Sequence, residues 1–303
     1  MTDRFEAMSI LAAVVDAGSL SAGARALRLP LATVSRKVAD LEALLSTQLL
    51  LRSARGLRPT DAGAAYLLAA RRILEDVAEA ERAARGEFSA PRGTLTITAP
   101  IVFGRLHVLP VVTAFLRDYP EVTVRLEQSD RAVNLHEERV DLALRIGSLP
   151  DSNLIARRLG SVTRMVCASP DYLAARGTPH KPEDITTHDC VTFGNLMSAT
   201  RWRFGHGRSE TSIPVRSRLV TNTAEAAIDA AEAGLGLTRV LSYQVADAIH
   251  SGRLCRVLTE HEPEPWPVSL IYTPRELLPQ KLRAFLDFAG PRIERALRSH
   301  DAA

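Results

Sequence analysis

The chain has 303 residues, of which 46% are apolar and 24% are charged, and its formal net charge is +3. This composition is that of a folded globular protein and excludes a disordered or fibrous chain. No run of about 18 apolar residues is present, and Asp3, Glu6 and Asp16 interrupt the first apolar stretch, so the sequence predicts neither a membrane span nor a signal peptide.

The chain opens with a predicted helix over residues 4–17, for which Gly18 provides the C-terminal stop. Two short helices joined by a tight turn follow. The first of them begins at Ser19 and Ser21, whose side chains can each accept a backbone N–H. Small residues in this helix allow a second helix to cross closely, as in a helix-turn-helix.

The second short helix, predicted over residues 31–45, has a pattern typical of DNA recognition. Apolar residues at helical spacing predict one buried stripe, formed by Val34, Val38, Leu41 and Leu45. A different face carries Thr33, Arg36, Lys37 and Asp40. A helix that is anchored on one side and carries hydroxyl and basic groups on the other suits the DNA major groove. Periodicity alone also fits an ordinary helical domain.

The charge around this helix favours a nucleic-acid partner. Between positions 25 and 58, seven Lys or Arg residues stand against Asp40 and Glu42, a local excess of five on a chain whose total is +3. Clustered positive charge neutralises phosphate groups. The segment 52–59 predicts a turn or short wing in which Gly56 takes a positive φ.

A long helix is predicted from Asp61 to about Arg85, with Thr60 as its N-cap and Gly86 at its end. Steps of four and three along it form a heptad seam of mostly small residues, namely Tyr66, Ala70, Ile73, Val77, Ala80 and Ala84. Such a seam favours pairing with a partner helix. The alternative is a helix packed on its own domain.

After a short linker, the pattern changes to alternating strands and helices. Strands are predicted at 94–98, 122–127, 141–146, 162–168, 235–240 and 268–272. Helices are predicted at 106–119, 132–139, 171–176, 224–233, 242–250 and 279–297, with a hairpin over 201–220. This alternation predicts βαβ units and a mainly parallel sheet, so the fold class is α/β.

Four stretches together resemble the winged helix-turn-helix of the LysR-type transcriptional regulators. They are Ala17-Gly-Ser-Leu-Ser-Ala-Gly-Ala-Arg-Ala-Leu27, Ala32-Thr-Val-Ser-Arg36, Leu41-Glu-Ala-Leu-Leu45 and Arg58-Pro-Thr-Asp-Ala-Gly63. The resemblance implies an N-terminal winged helix-turn-helix at 1–60, a long linker helix at 61–86 that pairs two subunits, and a two-lobed periplasmic-binding-protein-like α/β effector domain at 92–300. In such a dimer, the two recognition helices lie about one DNA turn apart or a multiple of it.

By this resemblance, Ser35, Arg36 and the wing residue Arg52 contact DNA. With their neighbours, the candidate DNA-binding residues are Ser21, Leu31, Thr33, Ser35, Arg36, Lys37, Arg52 and Arg55. This sequence has Pro30-Leu31 where the family commonly has Ser-Gln, so a base-reading amide is missing, although Leu31 can touch a thymine methyl group. Ser46 and Leu50 replace a usual Gly and Phe, which affects packing more than chemistry.

Later segments carry the resemblance into the C-terminal region, among them Asp141-Leu-Ala-Leu-Arg-Ile-Gly147 and Ala233-Gly-Leu-Gly236. It implies lobe I at about 94–163 plus 267–300 and lobe II at about 164–266. A cleft between hinged lobes binds small molecules. The implied effector-binding residues are Pro100, Ile101, Val102, Phe103, Gly147, Phe193, Asn195, Asn222 and Thr223.

Two details qualify this effector site. Asn222 or Thr223 is also a natural N-cap for the helix that follows. Relatives often have Ser or Thr in the first cleft loop, so Ile101-Val102 favours a more apolar effector.

Other chemistry is not expected. The cysteines Cys167, Cys190 and Cys255 are odd in number and widely spaced, which predicts reduced intracellular thiols, with a redox-sensing pair of Cys190 and Cys255 as the alternative. His188 and Cys190 have no second ligand pair at metal spacing, so no metal and no cofactor are predicted. Catalytic motifs such as Gly-x-Ser-x-Gly and His-Glu-x-x-His do not occur, so no catalytic residue and no enzyme activity are assigned.

The sequence therefore predicts a LysR-type regulator that binds double-stranded promoter DNA and is modulated by a small-molecule effector. Its expected partners are a second copy or more of itself, as a homodimer or homotetramer, and RNA polymerase, without any membrane. Its expected location is the cytoplasm, associated with the nucleoid. The alternative is a small-molecule-binding protein or enzyme of α/β fold with no DNA role, against which the basic N-terminal domain argues.

Overall fold

The computed structural model describes residues 3–53, 56–84, 90–131, 135, 140–149, 153–194, 200–207, 210–274 and 278–301, without the side chains at 52, 53, 79, 82–84 and 299–301. The chain divides into two compact units, Met1–Ser89 and Ala90–Ala303. The predicted helix at 132–139, Arg85 and Gly86 lie outside the described residues, apart from Leu135.

The described part of the first unit consists of four helices and a two-stranded ribbon. In chain order these are α1 (Arg4–Asp16), α2 (Leu20–Leu27), α3 (Leu31–Leu45), β1 (Leu50–Ser53), β2 (Gly56–Pro59) and α4 (Asp61–Ala84). The predicted stop of α1 is confirmed, since Gly18 has a φ of +71°. Gly56 likewise takes the positive φ predicted for the wing, at +108°. The ribbon is antiparallel.

The core of this unit joins α1, α3, the ribbon and the start of α4. Its buried side chains include Ile10, Leu11, Val14, Val34, Val38, Leu41, Leu49 and Leu67. The predicted stripe of α3 is thus confirmed except at Leu45, which is 36% exposed because it ends the helix. The turn of α4 at Gly63 packs so closely that a Cβ there would lie 1.9 Å from the carbonyl oxygen of Leu49.

The second unit follows the predicted alternation of strands and helices. Its elements are β3 (Gly93–Ala99), α5 (Ile101–Phe103), a π-helical turn (Gly104–Val108), α6 (Leu109–Asp118), β4 (Val122–Gln128), β5 (Leu142–Ile146), β6 (Ile155–Val162), β7 (Arg164–Ala168), α7 (Pro170–Arg176), a 3-10 helix (Pro182–Thr187), β8 (Asp189–Phe193), β9 (Arg201–Phe204), β10 (Thr211–Pro214), β11 (Arg216–Thr221), α8 (Ala224–Glu232), β12 (Leu237–Leu241), α9 (Ser242–His250), β13 (Cys255–Val257), a 3-10 helix (Thr259–His261), β14 (Trp266–Tyr272) and α10 (Gln280–Asp301).

Two five-stranded sheets organise this unit. One has the strand order β4-β3-β5-β14-β6 and the other β11-β8-β12-β7-β13. The chain crosses from the first sheet to the second between β6 and β7, and it returns at β14. We call the first sheet with its helices lobe I and the second lobe II.

The sheets are mixed, which corrects the expectation of a mainly parallel sheet. In lobe I, β3 runs parallel to β4 and β5, whereas β14 is antiparallel to β5 and β6. In lobe II, β8 is parallel to β11 and β12, whereas β7 is antiparallel to β12 and β13. Antiparallel pairing arises in both lobes because the chain crosses between them and returns.

The strand predictions also need correction at five places. The strands β6, β8 and β13 were not predicted. The predicted strand at 162–168 is the end of β6 and the whole of β7, separated at Thr163. The predicted hairpin at 201–220 is confirmed only for β9 and β10, because β11 leaves it and pairs in parallel with β8.

No single helix in the described part of the chain is long and apolar enough to cross a membrane. Only α1 and α2 taken together reach the required length and hydropathy, and the two helices meet at an angle of 119°.

Candidate nucleic-acid interface and ligand cleft

Helix α3 presents one buried and one open face. Val34, Val38 and Leu41 are buried against the core of the first unit. On the other side, Arg36 is exposed, and 50% of the surface of Leu31 is accessible. Thr33 and Ser35 are half-buried beside them. The open face therefore offers a guanidinium, two hydroxyls and an apolar side chain to a partner.

Lys37 does not belong to this open face, which corrects its predicted exposure. Its ammonium group forms an ion pair with the carboxylate of Glu6 on α1, and only 18% of its side chain is accessible. Residues 36 and 37 are about 100° apart around a helix, so Arg36 points outward while Lys37 turns toward α1.

The start of α2 depends on one of its two serines. The Ser19 hydroxyl accepts the backbone N–H of Ala22 at 3.1 Å and caps the helix, as predicted. Ser21 is exposed, and its hydroxyl lies 3.3 Å from that of Ser19. Its predicted acceptance of a backbone N–H has no counterpart among the described contacts.

The wing is the ribbon of β1 and β2. Arg52 pairs with Leu57 in its ladder. The side chain of Arg52 and the whole of Arg55 lie outside the described residues. The sequence pattern missed the role of Glu42, whose carboxylate accepts the backbone N–H groups of Leu49 at 2.7 Å and Leu50 at 3.0 Å.

Helix α4 has the predicted N-cap, since the Thr60 hydroxyl accepts the N–H of Gly63 at 2.8 Å. The first part of the heptad seam is packed against its own unit, and the later part is more exposed. Ala70 is completely buried and Tyr66 is packed against the core of its own unit, as the alternative for this helix supposes. Ile73 and Ala80 are exposed, and Val77 is half-buried. The side chain of Ala84 lies outside the described residues.

The first cleft loop follows β3 and turns mostly inward. Pro100, Val102 and Phe103 are buried, and Ile101 is half-buried. The Phe103 ring meets the ring of Tyr243, on α9 of lobe II, edge-on at 5.1 Å between centroids. Val102 and Phe103 both belong to the core that joins the lobes, and their contact with an effector stays a prediction.

Carboxylates that the sequence pattern missed lie beside this loop. The Asp130 carboxylate accepts the N–H of Ile101 at 3.0 Å. Burial raises the pKa of Asp130, which that hydrogen bond partly offsets, and the negative charge of Glu225 raises it further. Glu225 itself lies 3.9 Å from the guanidinium of Arg105. The signal for Asp130, a carboxylate two residues after a parallel strand, was present in the sequence.

The remaining predicted cleft residues have different surroundings. Gly147 directly follows β5 with a φ of +105° and is buried, and Phe193 is buried at the end of β8. Thr223 is the N-cap of α8, since its hydroxyl accepts the N–H of Ala226 at 3.3 Å. Asn222 is exposed, and Asn195 lies outside the described residues.

The cysteines are free thiols. Cys190 in β8 and Cys255 in β13 are separated by the strands β12 and β7, so the two thiols are not placed to form a disulfide in this structure. Burial raises the pKa of Cys190 to about 12, which keeps it a thiol. In the described part of the chain, no group of three metal-binding side chains occurs.

Two family models match the chain. The model described as a bacterial regulatory helix-turn-helix protein of the lysR family matches residues 5–64. The model described as a LysR substrate binding domain matches residues 89–293. The two matches together include α3 with its open face and both lobes.

Known proteins of similar length match as well. An uncharacterised HTH-type transcriptional regulator of Haemophilus influenzae is 31% identical over 92% of this chain and 97% of its own length. The HTH-type transcriptional activator AaeR of Escherichia coli is 30% identical over 94% and 92%. The structure of CrgA, a LysR-type regulator from Neisseria meningitidis, has a TM-score of 0.61 and 31% identity over 95% of this chain and 98% of its own.

Proposed function

The chain belongs to the LysR family of bacterial transcriptional regulators, and from this premise we propose which of its residues bind DNA, effector and partner. It is a regulator with a DNA-binding helix-turn-helix and an effector-binding domain. We propose that it recognises promoter DNA through Leu31, Thr33, Ser35 and Arg36 of α3, with Ser21 at the phosphate backbone and the wing residues Arg52 and Arg55 in support.

The open face of α3 is the observation that carries this proposal. Arg36 is exposed, and no hydrogen bond or ion pair engages its guanidinium within the described residues. A guanidinium can donate two hydrogen bonds to guanine in the major groove. The neighbouring basic side chain, Lys37, is already held by Glu6. Arg36 is therefore the residue we assign to base reading, while Lys37 joins α3 to α1 through its ion pair with Glu6.

Leu31 gives the interface a specific preference. It stands at the first position of α3 with half its surface accessible. An apolar side chain at the groove end of a recognition helix packs against thymine methyl groups and offers no hydrogen bond to adenine. We infer that the operator has a thymine at the position that Leu31 faces.

We propose that the effector binds at the facing ends of the two lobes, near Ile101, Gly147, Asn222 and Thr223, and changes the relative populations of two assemblies. The exposed residues Ile73 and Ala80, with Val77, suit pairing of α4 between subunits of a homodimer or homotetramer. Catalysis has no part in this function. RNA polymerase is the further partner, and the cytoplasmic nucleoid is the place of action.

A gel-shift assay on the DNA upstream of the protein's own gene tests the proposal. We expect a complex at low salt that weakens steeply as salt rises, because phosphate contacts release counterions. Unchanged migration of this DNA and of random DNA at low salt would contradict the proposed interface. The alternative of an enzyme without a DNA role predicts turnover that survives deletion of residues 1–60.

A further inference from the structure

The chain has two tryptophans, and the ring of each packs against the guanidinium of an arginine that belongs to lobe II. The Cζ atom of Arg164 is 4.3 Å from the ring centroid of Trp266. The Cζ atom of Arg239 is 5.4 Å from that of Trp202. Stacking of this kind orients a guanidinium through its face, while its N–H donors lie in the plane of the group.

The strand register brings these two arginines together. In the antiparallel pair of β7 and β12, Arg164 lies opposite Leu241, and Arg239 lies opposite Val166. Arg164 and Arg239 are therefore diagonal neighbours on one face of the sheet, about 7–8 Å apart at the backbone, within reach of one another for long side chains. A third arginine joins them, because Nη1 of Arg239 donates to the carbonyl oxygen of Arg203 at 3.1 Å.

Positive charge exceeds negative charge in this arginine cluster (Arg164, Arg203 and Arg239). Arg239 is only 4% exposed, and burial, followed by the charges of Arg164 and Arg203, lowers its pKa to about 9. It stays protonated at neutral pH. The carboxylate of Glu210 lies 3.6 Å from the guanidinium of Arg203, and its charge also acts on Arg164.

Arg164 carries the unmet hydrogen-bonding capacity. Its Nε is buried and has no hydrogen-bond partner among the described residues. A buried charged donor without an acceptor is costly. The planar fork of a guanidinium matches the two oxygens of a carboxylate or a phosphate, so an oxyanion would supply both the acceptor and the missing charge.

The cluster lies where the two lobes join. Arg164 follows the last strand of lobe I before the crossing, and Trp266 begins the strand by which the chain returns. Trp266 pairs with Val162, and its ring lies 3.8 Å from the Cβ position of Gly147. The parallel strands β3, β4 and β5 have their carboxyl ends on the side of the sheet where Gly147 lies. The arginine cluster is therefore at the cleft, where the two lobes join.

We propose that Arg164 and Arg239 form a binding site for an oxyanion, a carboxylate or phosphate group carried by a small molecule. The proposal rests on the proposed function of the cleft and adds the chemical class of one end of the effector. The apolar part of the same effector binds near Ile101. Because the site combines residues at both crossings of the chain, a bound anion favours one arrangement of the lobes over others.

Tryptophan fluorescence of the full-length protein tests the site directly, because both tryptophans lie in it. Inorganic phosphate and succinate are titrated separately against sodium chloride at equal ionic strength. We expect a saturable change in the millimolar range with at least one of the two oxyanions and none with chloride. Response to phosphate alone or to succinate alone identifies which oxyanion the site accepts.

Variants separate this site from general anion effects. Arg164→Gln should raise the half-saturating anion concentration at least about tenfold. Arg164→Lys keeps the charge but loses the planar fork of donors, so its half-saturating concentration should lie between those of Arg164→Gln and the unchanged protein. Arg218→Gln is the matched control, since Arg218 is an exposed arginine of the same lobe, paired with Asp189 at 3.2 Å. It should titrate like the unchanged protein. Arg164→Lys provides the comparison if Arg164→Gln does not fold.

Two results would overturn the proposal: no saturable response to either oxyanion, or the same response in the folded Arg164 variants as in the unchanged protein. A gel-shift on the same preparations distinguishes the two proposals. DNA binding without an anion response removes the anion site alone, whereas an anion response without DNA binding counts against the proposed DNA interface.

Discussion

The carboxylate of Glu42, on α3, accepts a hydrogen bond of 2.7 Å from the backbone N–H of Leu49, which lies just before the wing. The same oxygen accepts the N–H of Leu50, the first residue of β1, at 3.0 Å. A single side chain of the recognition helix thus satisfies two backbone donors of the neighbouring segment. These two hydrogen bonds fix the position of the wing relative to α3.

Glu42→Ala should loosen the wing. Hydrogen bonds to a charged group contribute about 1.5–3 kcal/mol, so the Leu49 and Leu50 amides should exchange with solvent roughly 10- to 100-fold faster. Hydrogen–deuterium exchange of the peptide covering 46–60 measures this. Glu42→Gln keeps an acceptor oxygen and should restore most of the protection. Equal protection in all three proteins would show that Glu42 does not hold the wing.

Gly63→Ala should destabilise the first unit. Its Cβ would lie 1.9 Å from the carbonyl oxygen of Leu49, so α4 or β1 has to shift, at a cost of about 1–3 kcal/mol. The control is Ala64→Ser at an exposed position one residue later, where the change should stay within about 0.5 kcal/mol. Thermal unfolding followed by helical circular dichroism compares the two. A Gly63→Ala protein as stable as the control would be inconsistent with this packing.

Stability should fall in mild acid because of His188. This residue is buried, its Nδ1 lies 3.2 Å from the hydroxyl of Tyr172, and burial, followed by the charge of Arg176, lowers its pKa. The unfolded chain therefore takes up the proton first. The contribution of His188 is complete above about pH 6.5 and is lost as the pH falls through the lowered folded-state pKa.

Melting temperatures between pH 7.5 and 5 check the role of His188. His188→Gln should flatten the pH dependence of stability, whereas His180→Gln, at an exposed position, should leave it unchanged. A slope that is the same in all three proteins would assign the acid sensitivity to other groups.

The local features of the first unit could be predicted from the sequence because they depend on neighbouring residues. The stripe of Val34, Val38 and Leu41, the stop at Gly18 and the N-cap Thr60 are of this kind. The partner of Lys37 is Glu6, 31 positions away, and helical periodicity contains no information about such a contact. The same holds for β11, whose parallel pairing with β8 depends on long-range topology.

Contacts between residues far apart in the sequence explain why parts of the second unit differ from the sequence predictions. The strand β6 contains Arg157 and Arg158, which interrupt the apolar pattern, but Arg157 is neutralised by Glu294 on α10 at 3.1 Å. Val102 and Phe103 belong to the first cleft loop that the family resemblance implies. Their burial could not be predicted from the sequence, because it depends on Tyr243 of the other lobe, which packs against Phe103.

The central claim is that the open face of α3 reads DNA through Arg36. Its most direct test is the affinity of the unchanged protein, Arg36→Ala and Lys37→Ala for the upstream fragment and for random DNA of the same length at one salt concentration. Arg36→Ala should lose about 1–3 kcal/mol on the fragment and less on random DNA, while Lys37→Ala, already paired with Glu6, should lose no more than about 0.5 kcal/mol. Equal affinities of Arg36→Ala and the unchanged protein for the fragment, or a larger loss in Lys37→Ala, would contradict the claim.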